Sequence, residues 1–483
     1  MTPTTMPIDT STLTHKQKQA AVGALIGAAV GDALGAPFEF KPGGTYKKRF
    51  PQAVVGGTGE MIGGGAFGWA PGEFTDDTQM ALALSEAILA EGGEFNPERV
   101  WNHFVAWTGQ ASDIGNTTSA SLRGSDYRTA AKLAHERLGY SDSNGSLMRI
   151  APIGIAGVRW GQAKTMQIAK EQSALTHHDI VACWSSAVAA ELIRHLILGG
   201  TLESAVDPIV NKIQPAYKAI FTTILSDDWN PTVWPEISNG KALICLAQAL
   251  WAVRTTSSFE DAIVAAVDLG DDADTVAAVA GAIAGAKYGI QQISARWVTY
   301  VHGHVRQPDG SDEVYHQHEI SAIASRLLGL ASHPITPPEK MVLSPTQVHD
   351  AGIYAGNLLG AETAPDEMGI ISLCRMQDRL HHHALRREFY IADKWREGQN
   401  PHLRAVAEDA VNTIDAFLRE GREVLVHCHG GRSRTGFILK AWYMRHENVD
   451  HVEADLWLER QWPHYVKKNM GFFDFLSNEW GQQ

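Results

Sequence analysis

The chain has 483 residues, 44% of them hydrophobic and 20% charged, a composition typical of a globular protein with about two to four domains. Its formal net charge of -13 argues against general binding to nucleic acid or to an anionic membrane, because both need a basic protein surface. The four cysteines show no CxxC spacing, and no apolar run reaches the roughly 18 residues of a membrane span. We therefore expect a cytoplasmic protein.

The N-terminal residues 1–14 are rich in Thr, Pro and Ser without an apolar period, which predicts a disordered tail. The first predicted helix follows and carries a glycine at every fourth position: Gly23, Gly27, Gly31 and Gly35. Glycines at this spacing form one bare stripe along a helix, so another backbone can approach closely. Asp32 and Glu39 lie where the stripe ends.

Two acidic clusters each precede an apolar helix. Residues 75–78 read Thr-Asp-Asp-Thr, and residues 270–275 read Gly-Asp-Asp-Ala-Asp-Thr. Either cluster alone fits an acidic helix cap, but carboxylates combined with hydroxyls also suit a cation. An EF-hand is excluded because, counting from Asp271, the sixth residue is Val276 and the twelfth is Ala282.

The segment between and around these clusters is predicted to be helical. Up to residue 332 it shows Ala- and Leu-rich helices without convincing alternating strands, so we predict an all-α domain over residues 15–332. Two loops, residues 113–118 and 143–149, combine short polar side chains with a glycine, which suits either a polar ligand or an ordinary turn. Residues 176–179, Thr-His-His-Asp, fit a capped helix start when taken alone.

A proline-rich stretch without apolar period, residues 333–340, predicts a linker. Beyond it, residues 369–374 and 423–427 are typical of buried strands, and residues 401–420 of a helix between them. This alternation predicts an α/β domain over residues 341–483.

The segment 427–436 lies between a predicted strand and a predicted helix and contains Cys428 and, six residues later, Arg434. Backbone N–H groups and a helix N-terminus around the sulfur would favour the thiolate, and the same donors would bind a phosphate. Arg434 can donate two hydrogen bonds to phosphate, and Thr435 can stabilise the departing thiolate. The other predicted phosphate-loop residues are Gly430, Gly431, Arg432 and Ser433. The alternative is a structural cysteine in a turn.

Attack by a thiolate on a phosphoester also needs an acid that protonates the leaving oxygen. Asp393 follows an apolar run and precedes a polar loop, so it is our candidate, and Asp378 is the second choice.

These features resemble two known families. Residues from about 341 to 483 resemble a dual-specificity-type cysteine phosphatase, on the Cys-x5-Arg-Thr signature and the upstream Asp393. His429, Gly430 and Gly431 depart modestly from the commoner small-residue loop. The resemblance leaves open whether the phosphorylated substrate is a protein or a small molecule.

Residues from about 16 to 330 resemble the ADP-ribosylglycohydrolase family, on six motifs in order: residues 31–35 with Glu39, residues 71–78, 113–118, 144–149, 176–177 and 272–275. The resemblance implies an all-α bundle with two divalent cations in a cleft, Mg²⁺ or alternatively Mn²⁺. The implied ligands are Thr75, Asp76, Asp77, Asp272, Asp274 and Thr275. Hard oxygen ligands suit these cations.

The same resemblance implies roles for further residues. Glu39 would orient the substrate or take part in proton transfer. Contacts to ADP-ribose are implied for Asp113, Asn144, Gly145, Ser146 and His177. Three residues depart from the family pattern, Asp271, Ser143 and Asp179, and none of them is an implied ligand.

The sequence therefore predicts a bifunctional hydrolase. Its first domain would remove ADP-ribose from a modified protein or small acceptor, and its second would hydrolyse phosphomonoesters. The alternative is a module that binds ADP-ribose without turnover and targets the phosphatase. A purely structural role would predict no phosphatase activity.

Overall fold

The computed structural model describes two compact units. The described residues are 6–331, 341–376, 379–393, 398–467 and 469–480. Unit 1 contains residues 6–52, 61–293 and 300–331, whereas unit 2 contains residues 53–60, 294–299 and the described residues from 341 onward. The predicted linker, residues 333–340, lies outside the described residues.

Unit 1 is mainly helical, which confirms the predicted fold class. Its helices are α1 His15–Gly35, α2 Thr45–Arg49, α3 Asp76–Ala90, α4 Pro97–Trp107, α5 Asn116–Leu122, α6 Ala130–Leu138, α7 Ala151–Trp160, α8 Gln162–Ala174, α9 Ile180–Ile197, α10 Leu202–Val210, α11 Pro215–Leu225, α12 Ala242–Arg254, α13 Phe259–Val267, α14 Ala273–Tyr288 and, after α15 of unit 2, α16 Gln317–Leu327.

A small hairpin is the departure from an all-α unit. Strands β1 His302–Arg306 and β2 Asp312–His316 pair antiparallel. In the connecting turn, Gln307 N donates to Ser311 O at 2.8 Å and Gly310 adopts a φ of +87°. The Pro-Asp-Gly turn is a hairpin signal, but two five-residue strands are too short to stand out among helices.

The glycine stripe of α1 packs against α14. A Cβ atom placed on Gly31 would lie 2.0 Å from Ala277 O, and one on Gly35 would lie 2.4 Å from Asp274 Cα. Such contacts are too short for any side chain, so the two backbones touch along the stripe. This close approach places the first turn of α14 directly against the end of α1.

Two helical segments of unit 1 are long and apolar enough to cross a membrane by length and composition, His15–Phe38 and α9. The sequence analysis expected no apolar run of this length. These two segments reach it because alanine contributes to their hydropathy. Within unit 1, 100% and 89% of these stretches are buried, as is common for core helices.

Part of the predicted disordered tail has defined structure. Thr10–Thr12 form a 3₁₀ turn capped by Asp9, and Ile8 N donates to Val158 O of α7 at 3.3 Å. The described part of the tail, residues 6–14, is therefore held by local capping and by α7.

Unit 2 is α/β, as predicted. Its sheet has the order β3-β4-β7-β5-β6, with β3 antiparallel to β4 and the other neighbours parallel. The strands are β3 Thr346–His349, β4 Ile353–Asn357, β5 Gly369–Ser372, β6 Arg386–Glu388 and β7 Val424–Cys428. The helices are α15 Ala295–Val298, α17 Leu358–Ala361, α18 Leu403–Arg419, α19 Ser433–Glu447, α20 His451–Gln461 and α21 Met470–Phe475.

Unit 2 also holds two short segments from the earlier part of the chain, residues 53–60 and 294–299. Arg387 Nη2 donates to the carbonyl oxygens of Val55 and Gly57, both at 2.8 Å. Ala295 N donates to Asp409 Oδ2 at 2.8 Å. These contacts are long-range in sequence, so no local pattern predicts them.

Candidate active sites

The two acidic clusters of unit 1 meet at neighbouring helix starts. Thr75 caps α3 and Asp272 precedes α14. Thr275 Oγ1 donates to Asp77 Oδ2 at 3.3 Å, although 198 residues separate them. Thr75 Oγ1 donates to the same carboxylate oxygen at 3.4 Å. The structure therefore joins the two halves of the implied metal site.

The acidic site is buried and strongly electronegative. Asp76, Asp77 and Asp274 are each at most 7% exposed, and Asp272 is half-buried. Burial and the neighbouring carboxylates raise the pKa of Asp76, Asp77 and Asp274 well above its ordinary value, and burial raises that of Asp272. So many buried carboxylates repel one another unless cations or protons lie between them.

The donor set fits divalent cations. All the implied ligands offer oxygen, which hard cations such as Mg²⁺ and Mn²⁺ prefer. Asp77 Oδ1 and Glu39 Oε2 are buried and have no hydrogen-bond partner among the described residues. Buried oxygens without partners are costly, so these two atoms are consistent with a cation or substrate beside them.

Asp32 supports this site and was not among the predicted site residues. Its carboxylate accepts hydrogen bonds from Thr75 N and Thr78 N, both at 3.0 Å. Burial raises its pKa to about 6, although the bonds from Thr78 and Thr75 act in the opposite direction. Asp32 thus orients the start of α3. The sequence signal for Asp32 is its position as the single acid of a mostly apolar helix, near the end of the glycine stripe.

Glu39 lies beside the acidic site. Burial, followed by the charges of Asp113 and Asp272, raises the pKa of Glu39 to about 8. Burial, with a contribution from Asp272, raises the pKa of Asp113 to about 6. A backbone hydrogen bond joins the segment after Glu39 to the second acidic cluster, because Asp271 N donates to Lys41 O at 2.9 Å. Asp271, one of the residues that depart from the family pattern, adopts a φ of +57°, a left-handed conformation that favours glycine.

Two asparagines hold Asp272. Asn144 Nδ2 donates to Asp272 Oδ2 at 2.9 Å, and Asp272 N donates to Asn239 Oδ1 at 3.1 Å. Asn144 was predicted as an ADP-ribose contact, whereas Asn239 was not predicted. Asn239 lies in an ordinary polar loop, and its role depends on a contact 33 residues away.

Three more residues were predicted to contact ADP-ribose: Gly145, Ser146 and His177. His177 is fully buried, with its Nδ1 2.8 Å from Thr176 Oγ1 and its Nε2 2.9 Å from Ser143 Oγ. A Cβ atom on Gly145 would lie 3.2 Å from His177 Cε1, so the glycine allows this ring to pack closely. Ser146 is fully buried, and its Oγ lies 2.7 Å from Ser173 Oγ.

In unit 2, Cys428 ends β7 and the turn before α19 forms the predicted phosphate loop. Cys428 is 1% exposed. Gly431 adopts a φ of +66°, and a Cβ atom there would lie 2.6 Å from Gly356 O, so the loop requires glycine at this position. Trp462 Nε1 donates to Gly431 O at 2.7 Å and supports the loop from outside.

Arg434 and Asp393 lie together at this loop. Arg434 Nε lies 3.5 Å from Asp393 Oδ2, and Arg434 Nη1 donates to Leu373 O at 2.7 Å. Asn469 Nδ2 donates to Asp393 Oδ1 at 3.4 Å. Asn469 and Trp462 were not predicted, because each is brought in by a later helix or turn. The second-choice acid, Asp378, lies outside the described residues.

The remaining loop residues differ in exposure. Gly430 is half-buried and Arg432 is exposed. Ser433 Oγ and Thr435 Oγ1 are buried and have no hydrogen-bond partner among the described residues. Two unpartnered hydroxyls in the first turn of α19, which follows the loop after Cys428, are consistent with a site that a phosphate completes.

Comparisons with known proteins agree with this division. Residues 13–335 match the family model for ADP-ribosylglycohydrolase, and residues 373–482 match the model for the dual specificity phosphatase catalytic domain. ADP-ribosylarginine hydrolase Tri1 of Pseudomonas putida (strain GB-1) is 35% identical over 315 residues, which cover 60% of this chain and 76% of that protein. Tri1 of Serratia proteamaculans (strain 568) is 32% identical over 320 residues, covering 64% and 79%. A solved structure named ADP-ribosylglycohydrolase-related protein complex superposes with a TM-score of 0.50 at 31% identity, covering 65% of this chain and 99% of its own.

Proposed function

The chain belongs to the ADP-ribosylglycohydrolase family and carries a dual specificity phosphatase domain, and from this we propose that unit 1 releases ADP-ribose from modified arginine with the help of two divalent cations. The contact between Thr275 and Asp77 carries the proposal, because it assembles one oxygen-lined site from two distant clusters. The arginine acceptor is supported by the two relatives named ADP-ribosylarginine hydrolase.

The residues that would hold the cations are Thr75, Asp76, Asp77, Asp272, Asp274 and Thr275. Bound Mg²⁺ or Mn²⁺ would supply Lewis-acid activation of the attacking water and contacts to the ribose hydroxyls. Asn144 and Asn239 fix the orientation of Asp272, and Asp32 fixes the start of α3. Glu39 would orient the substrate or exchange a proton with the reacting groups.

For unit 2 we propose cysteine-dependent hydrolysis of a phosphomonoester. Cys428 Sγ would attack phosphorus while the bond to the leaving oxygen breaks, and Asp393 would donate a proton to that oxygen. Water would then attack phosphorus, release the thiolate and give its proton to Asp393. Arg434 would bind the phosphate oxygens. The support is the placement of Asp393 and Arg434 at the phosphate loop.

The fusion suggests that both centres act on related substrates. Either both remove modifications from one target, or the phosphatase acts on a phosphorylated ADP-ribose derivative after the hydrolase. All four cysteines are free thiols in the described structure, which supports a reducing, cytoplasmic location. A fused chain that shows no kinetic advantage over separated domains on a doubly modified substrate would contradict the shared-substrate proposal.

A substrate panel tests the function of unit 1. ADP-ribosylated arginine, serine and nucleic acid would be incubated with the chain in Mg²⁺ and again after chelation. We expect release of ADP-ribose from arginine only, and only with metal. Tight binding of ADP-ribose without turnover would instead favour the binding-module alternative.

A further inference from the structure

Unit 2 contains a second cluster of ligand-type side chains, formed by Asp366, His382 and His383. One ligand atom from each of the three lies within 4.8 Å of the others. Asp366 precedes β5, and the two histidines precede β6. Strands β5, β6 and β7 are parallel, and Cys428 is the last residue of β7. The cluster therefore lies at the amino-terminal edge of these strands, and the phosphate loop at their carboxyl-terminal edge.

His383 is the buried member of the cluster. It is 1% exposed, and neither of its ring nitrogens has a hydrogen-bond partner among the described residues. Its Nε2 lies 4.0 Å from Asp366 Oδ1, which is beyond hydrogen-bonding distance. A buried imidazole without partners is costly, so a ligand that accepts its lone pair would remove this cost.

His382 lies directly beside His383. The His382 and His383 rings lie side by side, with centroids 4.7 Å apart. Two neighbouring imidazoles can each contribute one nitrogen to the same metal ion.

The donor set differs in kind from the acidic site of unit 1. Two imidazole nitrogens with one carboxylate suit Zn²⁺ and similar transition metals, whereas Mg²⁺ prefers oxygen ligands alone. Ligands on Zn²⁺ at about 2.0–2.2 Å lie about 3.3–3.6 Å from one another, so the cluster must contract by about 1 Å. Asp366 is 85% exposed and His382 is exposed, so both can move toward His383.

We propose that Asp366, His382 and His383 form a transition-metal site of the Zn²⁺ type. The ion would join the segment before β5 to the segment before β6, and β6 leads directly to Asp393. Three protein ligands leave a fourth position for water. The site would thus act as a tether within the phosphatase unit, and it does not depend on the proposed activity of either unit.

The test measures Zn²⁺ binding to the full chain with Mg²⁺ in excess, by competition with a chromophoric chelator, and uses Co²⁺ absorption to detect nitrogen ligation. The variants are His382→Ala and Asp366→Asn, both at exposed positions, so that misfolding does not confuse the result. The matched control is His381→Ala, in the same histidine run but outside the cluster.

We expect the wild type and the control to bind one equivalent of Zn²⁺ with the same affinity. Each cluster variant should bind this equivalent at least tenfold more weakly. The Co²⁺ spectrum should change in the same variants. Equal binding by all four proteins, or no such equivalent in the wild type, would overturn the proposal.

Discussion

Asp77 accepts hydrogen bonds from both acidic clusters, so a substitution there tests the acidic site. Asp77→Asn keeps the contacts to Thr75 and Thr275 but removes one buried charge. Without metal we expect the variant to be more stable than the wild type, because carboxylate repulsion falls. In Mg²⁺ we expect the variant to bind the metal about 100-fold or more weakly, so that the metal stabilises it less. We expect its rate of ADP-ribose release to fall by about the same factor.

Thermal unfolding with and without Mg²⁺ measures both effects. The control is Asp207→Asn, an exposed acid on α10. An unchanged shift in melting temperature upon Mg²⁺ addition to Asp77→Asn would argue against the assigned ligand.

Asp393 can be tested through the leaving group. A general acid matters most when the leaving oxygen is basic, so Asp393→Asn should slow hydrolysis of alkyl phosphates by about 10²–10⁴-fold and of activated aryl phosphates much less. Steady-state kinetics on both substrates measure the difference, with exposed Asp474→Asn as the control. Equal rate losses on the two substrates would exclude Asp393 as the acid.

Among the secondary-structure elements, the pairing of α1 with α14 supports the acidic site. Gly31→Ala would place a methyl group 2.0 Å from Ala277 O, so the helices must separate. We expect a loss of about 1–3 kcal/mol in unfolding free energy together with weaker Mg²⁺ binding, because Asp274 lies in the first turn of α14.

Chemical denaturation and calorimetric Mg²⁺ titration measure these changes. Gly471→Ala is the control, since its Cβ would meet only Asn469 Oδ1, at 3.5 Å, within helix α21. A Gly31→Ala variant with wild-type stability would contradict the close helix contact.

Strand β7 contains a buried histidine that makes unit 2 sensitive to acid. Burial lowers the pKa of His427 from 6.5 to about 3, and its Nε2 lies 2.7 Å from Ser372 Oγ. The pKa of His427 is lower in the folded protein than in the unfolded chain. As the pH falls, His427 therefore gains its proton in the unfolded chain first. Stability should therefore decrease below pH 6.5, by up to about 1.4 kcal/mol per pH unit.

Denaturation at pH 7.5 and pH 5.5 would show this loss in the wild type and a smaller one in His427→Gln. The exposed His446→Gln on α19 should behave like the wild type. Identical pH dependence in all three proteins would show that His427 is not the source.

Local patterns predicted the elements that carry the chemistry. The glycine stripe, the acidic helix starts and the strand-loop-helix around Cys428 are all visible within a few residues of sequence. Asn239, Asn469 and Trp462 were missed because each reaches its partner from a distant element. The hairpin β1-β2 was missed because its strands are short.

For the whole molecule, each centre is complete within one unit, so the two activities should be separable. Cys428→Ser should abolish phosphatase activity and leave release of ADP-ribose within about twofold of the wild type. Removal of Mg²⁺ should abolish release of ADP-ribose and leave the phosphatase activity within about twofold of its original value. Parallel assays on one preparation measure both activities, and loss of both after either change would contradict independent centres.

The most direct test of the central claim is Mg²⁺-dependent release of ADP-ribose from ADP-ribosylated arginine by the wild type and by Asp274→Asn. Asp274 is buried at the start of α14 and shares the site with Asp77. We predict release by the wild type in Mg²⁺, none after chelation, and a loss of at least about 100-fold in the variant. Metal-independent release, or equal release by the variant, would contradict the claim.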